Sequence, residues 1–225
     1  MASTRKTNSR TSRARIPASG QPVVGRISQR RNPPPRYNAN VACAILRHMS
    51  NYRRAFVPSG CWFFTVNLLD RRQTLLVDHI AVLRDAVAAT RQSHPFAIDA
   101  FVVLPDHLYA IWRLPPDDSD FSMRWRLIKN RFARALPKQE RLSPVRVARN
   151  ERGIWQRRFW EHLIRDEADF ARHVEYCYIN PLKHRLVARV GDWPYSSFHR
   201  DVRAGLFSKD WGGDIGTGGD FGERR

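Results

Sequence analysis

One segment whose residue types could carry chemistry runs from Leu104 to Trp112 and contains His107 and Tyr109. These two residues are two positions apart, so on a β-strand their side chains point to the same face of the sheet. They could therefore share one site. Taken alone, a histidine on a strand that faces a helix is more often a semi-buried packing residue than a metal ligand.

A second segment, His173 to Pro181, places an imidazole, a phenol and an amide at helical spacing. His173, Tyr176 and Asn180 are separated by three and then four residues, so on an α-helix they line one stripe. Tyr178 is a rival phenol, but it lies about 200° around the helix from Tyr176. The spacing therefore favours Tyr176 as the tyrosine that shares a face with Asn180. Taken alone, Tyr176 would be interpreted as a packing residue.

A third segment, Trp155 to His162, places Arg157 and Arg158 between aromatic residues. Guanidinium groups pair with phosphates and aromatic rings stack on bases, so this combination suits contact with a nucleic acid. The alternative interpretation is that the aromatic residues anchor the core and the arginines form a solvated face. None of the three segments is decisive by itself.

The charge of the chain is strongly positive, with a formal net charge of +18. Residues 1–48 contain ten Lys or Arg and no Asp or Glu, and the remainder still has 29 basic against 21 acidic residues. A charge of this sign attracts phosphate polyanions without specifying which one. No apolar run approaches the roughly 18 residues that would span a bilayer, so we expect no membrane partner.

The three cysteines, Cys43, Cys61 and Cys177, are widely spaced and form no Cys-x-x-Cys pair. This pattern suggests neither a disulfide framework nor a zinc site, and it fits a reducing cytoplasm.

Hydrophobic patterns predict an alternation of strands and helices. The aromatic and β-branched run Cys61–Leu68 predicts a central strand. The other predicted elements are a helix over 76–90 that ends before Pro95, strands over 96–104 and 107–114 joined by a Pro105–Asp106 turn, a helix over 122–136, an irregular connection over 138–153, a short strand, and a helix over 166–179 that Pro181 terminates.

This order of elements predicts an α+β fold in which helices cover one face of an antiparallel, ferredoxin-like sheet. We expect one domain over residues 49–213. Residues 1–48 lack hydrophobic periodicity and predict a disordered basic extension, which lies outside the native protein if Met49 is the natural start. Residues 214–225 predict a flexible tail.

The order and spacing of the motifs resemble the REP-associated tyrosine transposases, a branch of the single-tyrosine transposases within the His-hydrophobe-His (HUH) nucleases. The resemblance spans about Met49 to Gly213. The segments that carry it are Tyr52–Arg54, Trp62–Asn67, Leu104–Trp112, Phe121–Trp125, Trp155–His162, Tyr178–His184 and Asp192–Phe198.

The resemblance implies a role for each motif residue. It implies that Tyr176, on a C-terminal helix, attacks a DNA phosphate and forms a 5′-phosphotyrosine link that a 3′ hydroxyl later reverses. It implies that His107 and Asn180 hold Mg²⁺ or Mn²⁺, an ion that would polarise the phosphate. The implied partner is single-stranded DNA that folds into palindromic hairpins.

Position 109 departs from the family, because Tyr109 stands where a second metal-binding histidine is expected. A neutral phenol is a much poorer metal donor than imidazole, and its ordinary pKa is about 10. Two hypotheses follow: a metal-assisted strand transferase with a reduced ligand set, or a hairpin-binding protein that has lost its chemistry. A third, more general hypothesis is a basic RNA- or DNA-binding protein without hairpin preference.

Candidate DNA contacts are basic or aromatic residues of the second long helix and of the Trp155–His162 segment. They are Arg124, Arg126, Lys129, Arg131, Arg157 and Arg158 for phosphates, and Trp160 for base stacking. The resemblance further implies a bacterial cytoplasmic, nucleoid-associated protein that acts as a monomer or a homodimer.

Overall fold

The computed structural model describes residues 57–140, 142–213 and 221. It contains four strands, β1 (Cys61–Asn67), β2 (Ala97–Val103), β3 (His107–Arg113) and β4 (Trp160–Leu163). Its α-helices are α1 (Leu75–Asp78), α2 (Ile80–Ser93), α3 (Phe121–Ala135), α4 (Pro144–Ala148), α5 (Glu167–Lys183) and α6 (Phe198–Arg203). The expectations for residues 1–48, and for the tail apart from Phe221, fall outside the described residues.

The strands form one antiparallel sheet in the order β2-β3-β1-β4. Every residue of β1 is buried, as its aromatic and β-branched sequence predicts for a central strand. Its register places Asn67 opposite His107 and Thr65 opposite both Tyr109 and Trp160. The predicted α+β class and the antiparallel sheet are confirmed.

Helices cover both faces of this sheet rather than one. Alternate residues of β1 point to opposite sides, so Phe64 belongs to a core cluster that includes residues of α2 and α3, whereas Phe63 belongs to a second cluster that includes residues of α5. Because β1 and most of β3 are apolar at consecutive positions, both faces need a cover. The expectation of a single covered face is corrected here.

Several boundaries differ from the predicted ones. The helix predicted over 76–90 is interrupted at His79, which ends α1 and begins α2. The connection predicted to be irregular contains α4, whose first residue is Pro144, a position that proline tolerates well. Helix α6 does not follow from the sequence pattern. None of the helices in the described residues is long and apolar enough to cross a membrane.

Helix α5 continues past the proline that was expected to end it. Pro181 lies inside the helix, which extends to Lys183, and the proline ring is buried. The backbone N–H of His184 still donates to the carbonyl of Asn180 at 2.9 Å, so the last turn keeps its hydrogen bonding. Burial of Pro181 offsets the local cost of proline, and the prediction of termination was wrong.

Candidate active site

The strand motif and the helix stripe lie together on the α5 face of the sheet. The ring of Tyr109 on β3 lies 5.4 Å from the ring of Tyr176 on α5, centroid to centroid. Phe63 of β1 lies between the elements, with ring centroids 6.0 Å from Tyr109, 6.1 Å from Tyr176 and 4.8 Å from His173. A buried aromatic residue of the central strand thus sets the spacing of the site.

His107 is held at both ring nitrogens. Its Nδ1 lies 2.7 Å from a carboxylate oxygen of Asp106, and its Nε2 lies 2.9 Å from the hydroxyl of Tyr109. A carboxylate only accepts hydrogen bonds, so Nδ1 carries the proton and Nε2 accepts from the phenol. Arg71 completes the arrangement by contacting Asp106, His107 and the side chain of Asn67.

The surroundings of His107, burial above all, favour a neutral imidazole beside an ionised carboxylate. Burial lowers the pKa of His107, although Asp106 acts in the opposite direction. Burial alone would raise the pKa of Asp106, but hydrogen bonds and charge from His107 and Arg71 lower it to about 2. A neutral imidazole oriented by a carboxylate is the form that binds a metal ion.

Two further observations bear on whether these residues fit a divalent ion. Asn180 is fully buried, and its Oδ1 has no hydrogen-bond partner among the described residues, while its Nδ2 donates to the backbone carbonyl of Tyr176. A buried amide oxygen of this kind is an oxygen donor of the type that Mg²⁺ and Mn²⁺ prefer. Nε2 of His107 is engaged by Tyr109, and a ligand there would have to displace that hydroxyl. The chemistry of these two donors, an imidazole nitrogen and an amide oxygen, thus suits a divalent ion.

Tyr176 is covered by a residue of the C-terminal segment. The ring of Phe221 stacks on the Tyr176 ring with a centroid separation of 3.6 Å and an interplanar angle of 14°. The ammonium of Lys183 lies 4.5 Å from the same ring. Tyr176 as a whole is only 7% exposed, and Phe221 and Lys183 both contact its ring.

Tyr178 has a structural role on the opposite side of α5. Its hydroxyl donates to a carboxylate oxygen of Asp201 at 2.5 Å and lies 3.1 Å from Ser197. Burial, together with Asp201, raises the pKa of Tyr178 well above its usual value. The structure thus separates the two tyrosines, as the helical spacing predicts, and places Tyr176 beside Tyr109.

A cluster that the sequence analysis did not identify lies at the start of α5. The buried carboxylate of Asp169 accepts from His162 at 2.8 Å and from Arg165 and Arg172 at 3.1 Å, and it lies 3.3 Å from Nδ1 of His173. Asp169 and His173 are four residues apart, a spacing that could have revealed the pair. His162 comes from β4, so only the fold brings it here.

The cluster contains two histidines and a carboxylate, yet its donors are not arranged for a metal ion. Nδ1 of His173 donates to the backbone carbonyl of Asp169 at 2.7 Å, and two arginines engage the carboxylate. Burial alone would raise the pKa of Asp169, but Arg165 and His162 lower it strongly. Burial lowers the pKa of His173 to about 4, so this imidazole is neutral near pH 7. We interpret the cluster as a carboxylate that positions cationic side chains.

The proposed phosphate-contact residues divide between different environments. Arg126, Lys129 and Arg157 line a groove of about 1040 Å³ between α3 and the 146–159 segment. Lys129 packs its ammonium over the rings of Trp155 and Phe159. Further cations around this basic groove, which the sequence analysis missed, are Arg134, Lys138, Arg146, Arg149 and Arg152.

Arg124 is unsuited to phosphate contact. Its side chain is 1% exposed and is held by Asp118 at 2.6 Å and by the backbone carbonyl of Pro95 at 2.8 Å. The expectation that Arg124 contacts phosphate was wrong, because the α3 face that carries it turns inward. Arg131 is half-buried and donates to Thr90 at 2.7 Å.

The two remaining candidates lie on or beside β4. Arg158 is exposed and does not line the basic groove. Trp160 lies on the Tyr176 side of the sheet, with its ring edge-on to Phe63 at 5.6 Å. The candidate contacts are thus spread over both faces of the sheet.

The structure is an antiparallel α+β fold in which a tyrosine of a covering helix and a histidine of a strand both contact Tyr109. No family model matches the chain. Known proteins are similar to it: 167 residues are 48% identical to the REP-associated tyrosine transposase of Escherichia coli K12, covering 74% of this chain and 93% of that protein. A Haemophilus influenzae protein that carries the same family name is also 48% identical, over 74% of this chain and 95% of its own length.

A solved structure of a REP-associated tyrosine transposase bound to a REP hairpin superimposes with a TM-score of 0.68. It is 48% identical and covers 79% of this chain and 99% of that one. The chain belongs to the REP-associated tyrosine transposases.

Proposed function

We propose that this protein cleaves and rejoins single-stranded DNA beside a palindromic hairpin, with Tyr176 as the nucleophile. The observation that carries the proposal is the placement of Tyr176 on α5, with its ring 5.4 Å from that of Tyr109 and on the same sheet face as His107. We take residues 49–213 as the acting domain and the bacterial cytoplasm, at the nucleoid, as its location.

The reaction balances without an external energy source. The oxygen of Tyr176 forms a bond to phosphorus, the bond from phosphorus to the 3′ oxygen breaks, and that oxygen leaves with its electron pair and gains a proton. The phenolic proton is released as the oxygen attacks. A 5′-phosphotyrosine link conserves the ester, and a 3′ hydroxyl attacking the same phosphorus restores the phosphodiester and the phenol.

The residues around Tyr176 would orient His107, hold the metal ion and offset the charge of the phosphate, and they would supply no further nucleophile. Asp106 fixes the tautomer of His107, so that Nε2 faces the site. His107 and the free Oδ1 of Asn180 would hold Mg²⁺ or Mn²⁺, and such an ion neutralises charge on a phosphate oxygen when it is bound. Lys183, whose ammonium lies over the Tyr176 ring, adds positive charge at the same place.

Hairpin binding is proposed on two grounds. The family member of known structure is bound to a REP hairpin. The basic groove beside α3 carries an excess of cations over its acidic residues Asp120 and Glu151, and such a charge attracts phosphates. Non-specific attraction by this charge would strengthen any DNA contact, whereas shape and unpaired bases would give the preference for a hairpin.

The second candidate function is hairpin binding without strand transfer. The observation that favours it is the 2.9 Å hydrogen bond from the Tyr109 hydroxyl to Nε2 of His107, which occupies the nitrogen that a metal would need. In this case the basic groove would still bind DNA. The two functions share a partner and differ only in the covalent step.

The experiment that tests the proposal incubates the full chain with labelled hairpin DNA that has unpaired flanks, in Mn²⁺ or Mg²⁺, and separates the products on a denaturing gel. Wild type is expected to give a band of protein linked to DNA, and Tyr176→Phe to give none. Tyr178→Phe is the matched control, because this residue faces Asp201 and its variant should keep the band. Hairpin binding without a band in any metal would support the second candidate and contradict the first.

A further inference from the structure

Helix α5 carries one more donor side chain along the stripe of Tyr176 and Asn180. His184 follows Asn180 by four residues and is the C-cap of the helix. Its backbone N–H donates to the carbonyl of Asn180 at 2.9 Å, so the chain keeps its helical register past Pro181. Because residues four apart on a helix lie on the same face, His184 continues the stripe by one turn.

The imidazole of His184 lies beside that of His107. Their ring centroids are 5.0 Å apart, and the ring planes are inclined by 67°. His107 is the first residue of β3, whereas His184 ends α5, so only the fold brings the two rings together. His184 is exposed while His107 and Asn180 are buried, and an ion from solvent can therefore reach it.

This separation suits two imidazoles that bind one metal ion. A histidine nitrogen binds a divalent ion at about 2.1 Å, which places the ring centroid about 3.2 Å from the ion. Two such rings at an angle of about 90° to 110° around the ion have centroids about 4.5 to 5.2 Å apart. The 5.0 Å between His107 and His184 falls within this range.

The donor set distinguishes a metal site from a packing contact. Edge-on ring pairs span the same distances, so the separation alone does not distinguish the two. Oδ1 of Asn180, on the same helix stripe as His184, is buried and has no hydrogen-bond partner among the described residues. A buried acceptor without a partner costs free energy, and a cation bound to it would remove that cost. Two imidazole nitrogens and an amide oxygen would then surround the ion.

We propose that His184 is a third protein ligand of the divalent ion, together with His107 and Asn180. This assignment rests on the proposed function and adds a residue to its metal site. His107 and Asn180 alone would give the ion two protein donors, and Tyr109 already engages one of them. A further imidazole offsets that weakness, since it replaces a water that the ion would otherwise keep. Helix α5 would then supply the nucleophile and two of the three ligands.

Binding of Mn²⁺ alone to the full chain tests the assignment without depending on strand transfer. Electron paramagnetic resonance measures free Mn²⁺ during the titration, because the signal of the bound ion is broadened. We expect His184→Ala to weaken binding about tenfold relative to wild type, the scale of effect seen when a metal site loses a supporting group. Thermal unfolding of the variant is measured alongside, and it should match wild type because His184 is exposed.

His94→Ala is the matched control. His94 is the C-cap of α2, so this variant also removes an imidazole from the end of a helix, and α2 packs in the other core cluster. The control should bind Mn²⁺ as tightly as wild type. His184→Gln places an amide oxygen, another donor that Mn²⁺ accepts, at the same position and should recover part of the affinity.

Pulsed measurements on the bound ion count its nitrogen ligands directly. The electron spin-echo modulation from coordinated nitrogen should correspond to two imidazoles in wild type and in His94→Ala, and to one in His184→Ala. A side chain that only supports the fold would leave the nitrogen count unchanged. Equal Mn²⁺ affinity in wild type and His184→Ala, or an equal nitrogen count, would overturn the assignment.

A direct contact of His184 with a DNA phosphate has a different signature. In that case His184→Ala would weaken hairpin binding without divalent metal, measured by fluorescence anisotropy, and would leave Mn²⁺ binding unchanged. This result would overturn the assignment of His184 as a ligand.

The outcomes separate the ligand from the proposed function. If two imidazoles bind Mn²⁺ but no covalent link to Tyr176 forms, the assignment of His184 stands and strand transfer fails. If the covalent link forms while Mn²⁺ binding ignores His184, only the assignment of His184 fails. Wild type that binds no Mn²⁺ would also overturn the assignment, and the denaturing gel would decide strand transfer by itself.

Discussion

The chemistry of the site depends first on one pair of side chains, His107 and Tyr109. In this chain the phenol donates to Nε2 of His107, and the second imidazole expected in the family is missing. The substitution therefore has two effects: it removes a ligand, and it engages the remaining one. Any metal must compete with a hydrogen bond between two buried groups.

We predict that Tyr109→His lowers the Mn²⁺ concentration needed for half-maximal formation of the protein–DNA link by about 10- to 100-fold, the size of effect seen when a metal site loses or gains a supporting group. The measurement is a metal titration of the link on a denaturing gel. Tyr109→Phe is the matched control, because it frees Nε2 of His107 and adds no ligand. Identical midpoints for the two variants would show that position 109 does not face the metal.

The depressed pKa of His173, about 4 in the folded protein, predicts a loss of stability in acid. The unfolded chain takes up a proton on this histidine below about pH 6.5, whereas the folded chain does so only below about pH 4. The free energy of unfolding should therefore fall between these two pH values, by about 1–3 kcal/mol.

Urea denaturation at pH 7 and pH 4.5 checks this prediction, with His173→Gln as the comparison. The variant should show a smaller fall, although not none, because burial lowers the pKa of His107 as well. The same fall in both proteins would show that His173 does not cause the dependence.

Strand β1 and helix α5 are elements that local sequence patterns predict correctly. The run Cys61–Leu68 predicts a central strand, and β1 is buried throughout because its residues are apolar on both faces. The stripe of His173, Tyr176 and Asn180 follows from helical spacing alone, and all three are buried in α5. Regular periodicity of this kind is fixed by backbone geometry, which does not depend on the rest of the fold.

Other features depend on contacts that no local pattern contains. Pro181 predicts a helix end, yet tertiary burial carries α5 to Lys183. His162 joins Asp169 only because β4 pairs with β1 next to the start of α5. The phenol of Tyr109 is visible in the sequence, but its hydrogen bond to His107 requires the strand geometry and both rotamers.

On helix α3, the sequence does not show which arginine is buried and which is exposed. Arg124 and Arg126 look equivalent in the sequence, but Arg124 is buried against Asp118 and Arg126 is exposed at the basic groove. We expect Arg124→Ala to reduce the free energy of unfolding by about 2–4 kcal/mol, because it removes one partner of a largely buried ion pair and several carbonyl contacts.

Arg126→Ala is the matched control on the same helix, and it should change the free energy of unfolding by less than about 0.5 kcal/mol. Thermal or urea denaturation of the two variants in parallel provides the measurement. Equal destabilisation would contradict the burial that the fold assigns to Arg124.

With a net charge of +18, the whole chain attracts phosphate polyanions. Eight of the described Lys and Arg residues line the basic groove. We predict that Arg126→Ala/Arg157→Ala lowers the slope of hairpin affinity against salt concentration, both on logarithmic axes, by about 1.8 for two lost phosphate contacts. Anisotropy titrations at several salt concentrations measure it. Arg72→Ala/Arg189→Ala should leave the slope unchanged, and a slope that moves equally in both double variants would place the hairpin elsewhere.

The central claim of the proposed function is that a single tyrosine of α5, Tyr176, becomes covalently joined to DNA. The most direct measurement is mass spectrometry of the protein after reaction with flanked hairpin DNA and Mn²⁺, nuclease trimming and trypsin. The peptide from His173 to Lys183 contains both Tyr176 and Tyr178, so fragmentation must assign the modified residue. We expect a nucleotide phosphate on Tyr176 alone. A modified Tyr178 or Tyr109, or an unmodified peptide from protein that has bound the hairpin, would contradict the assignment of Tyr176 as the nucleophile.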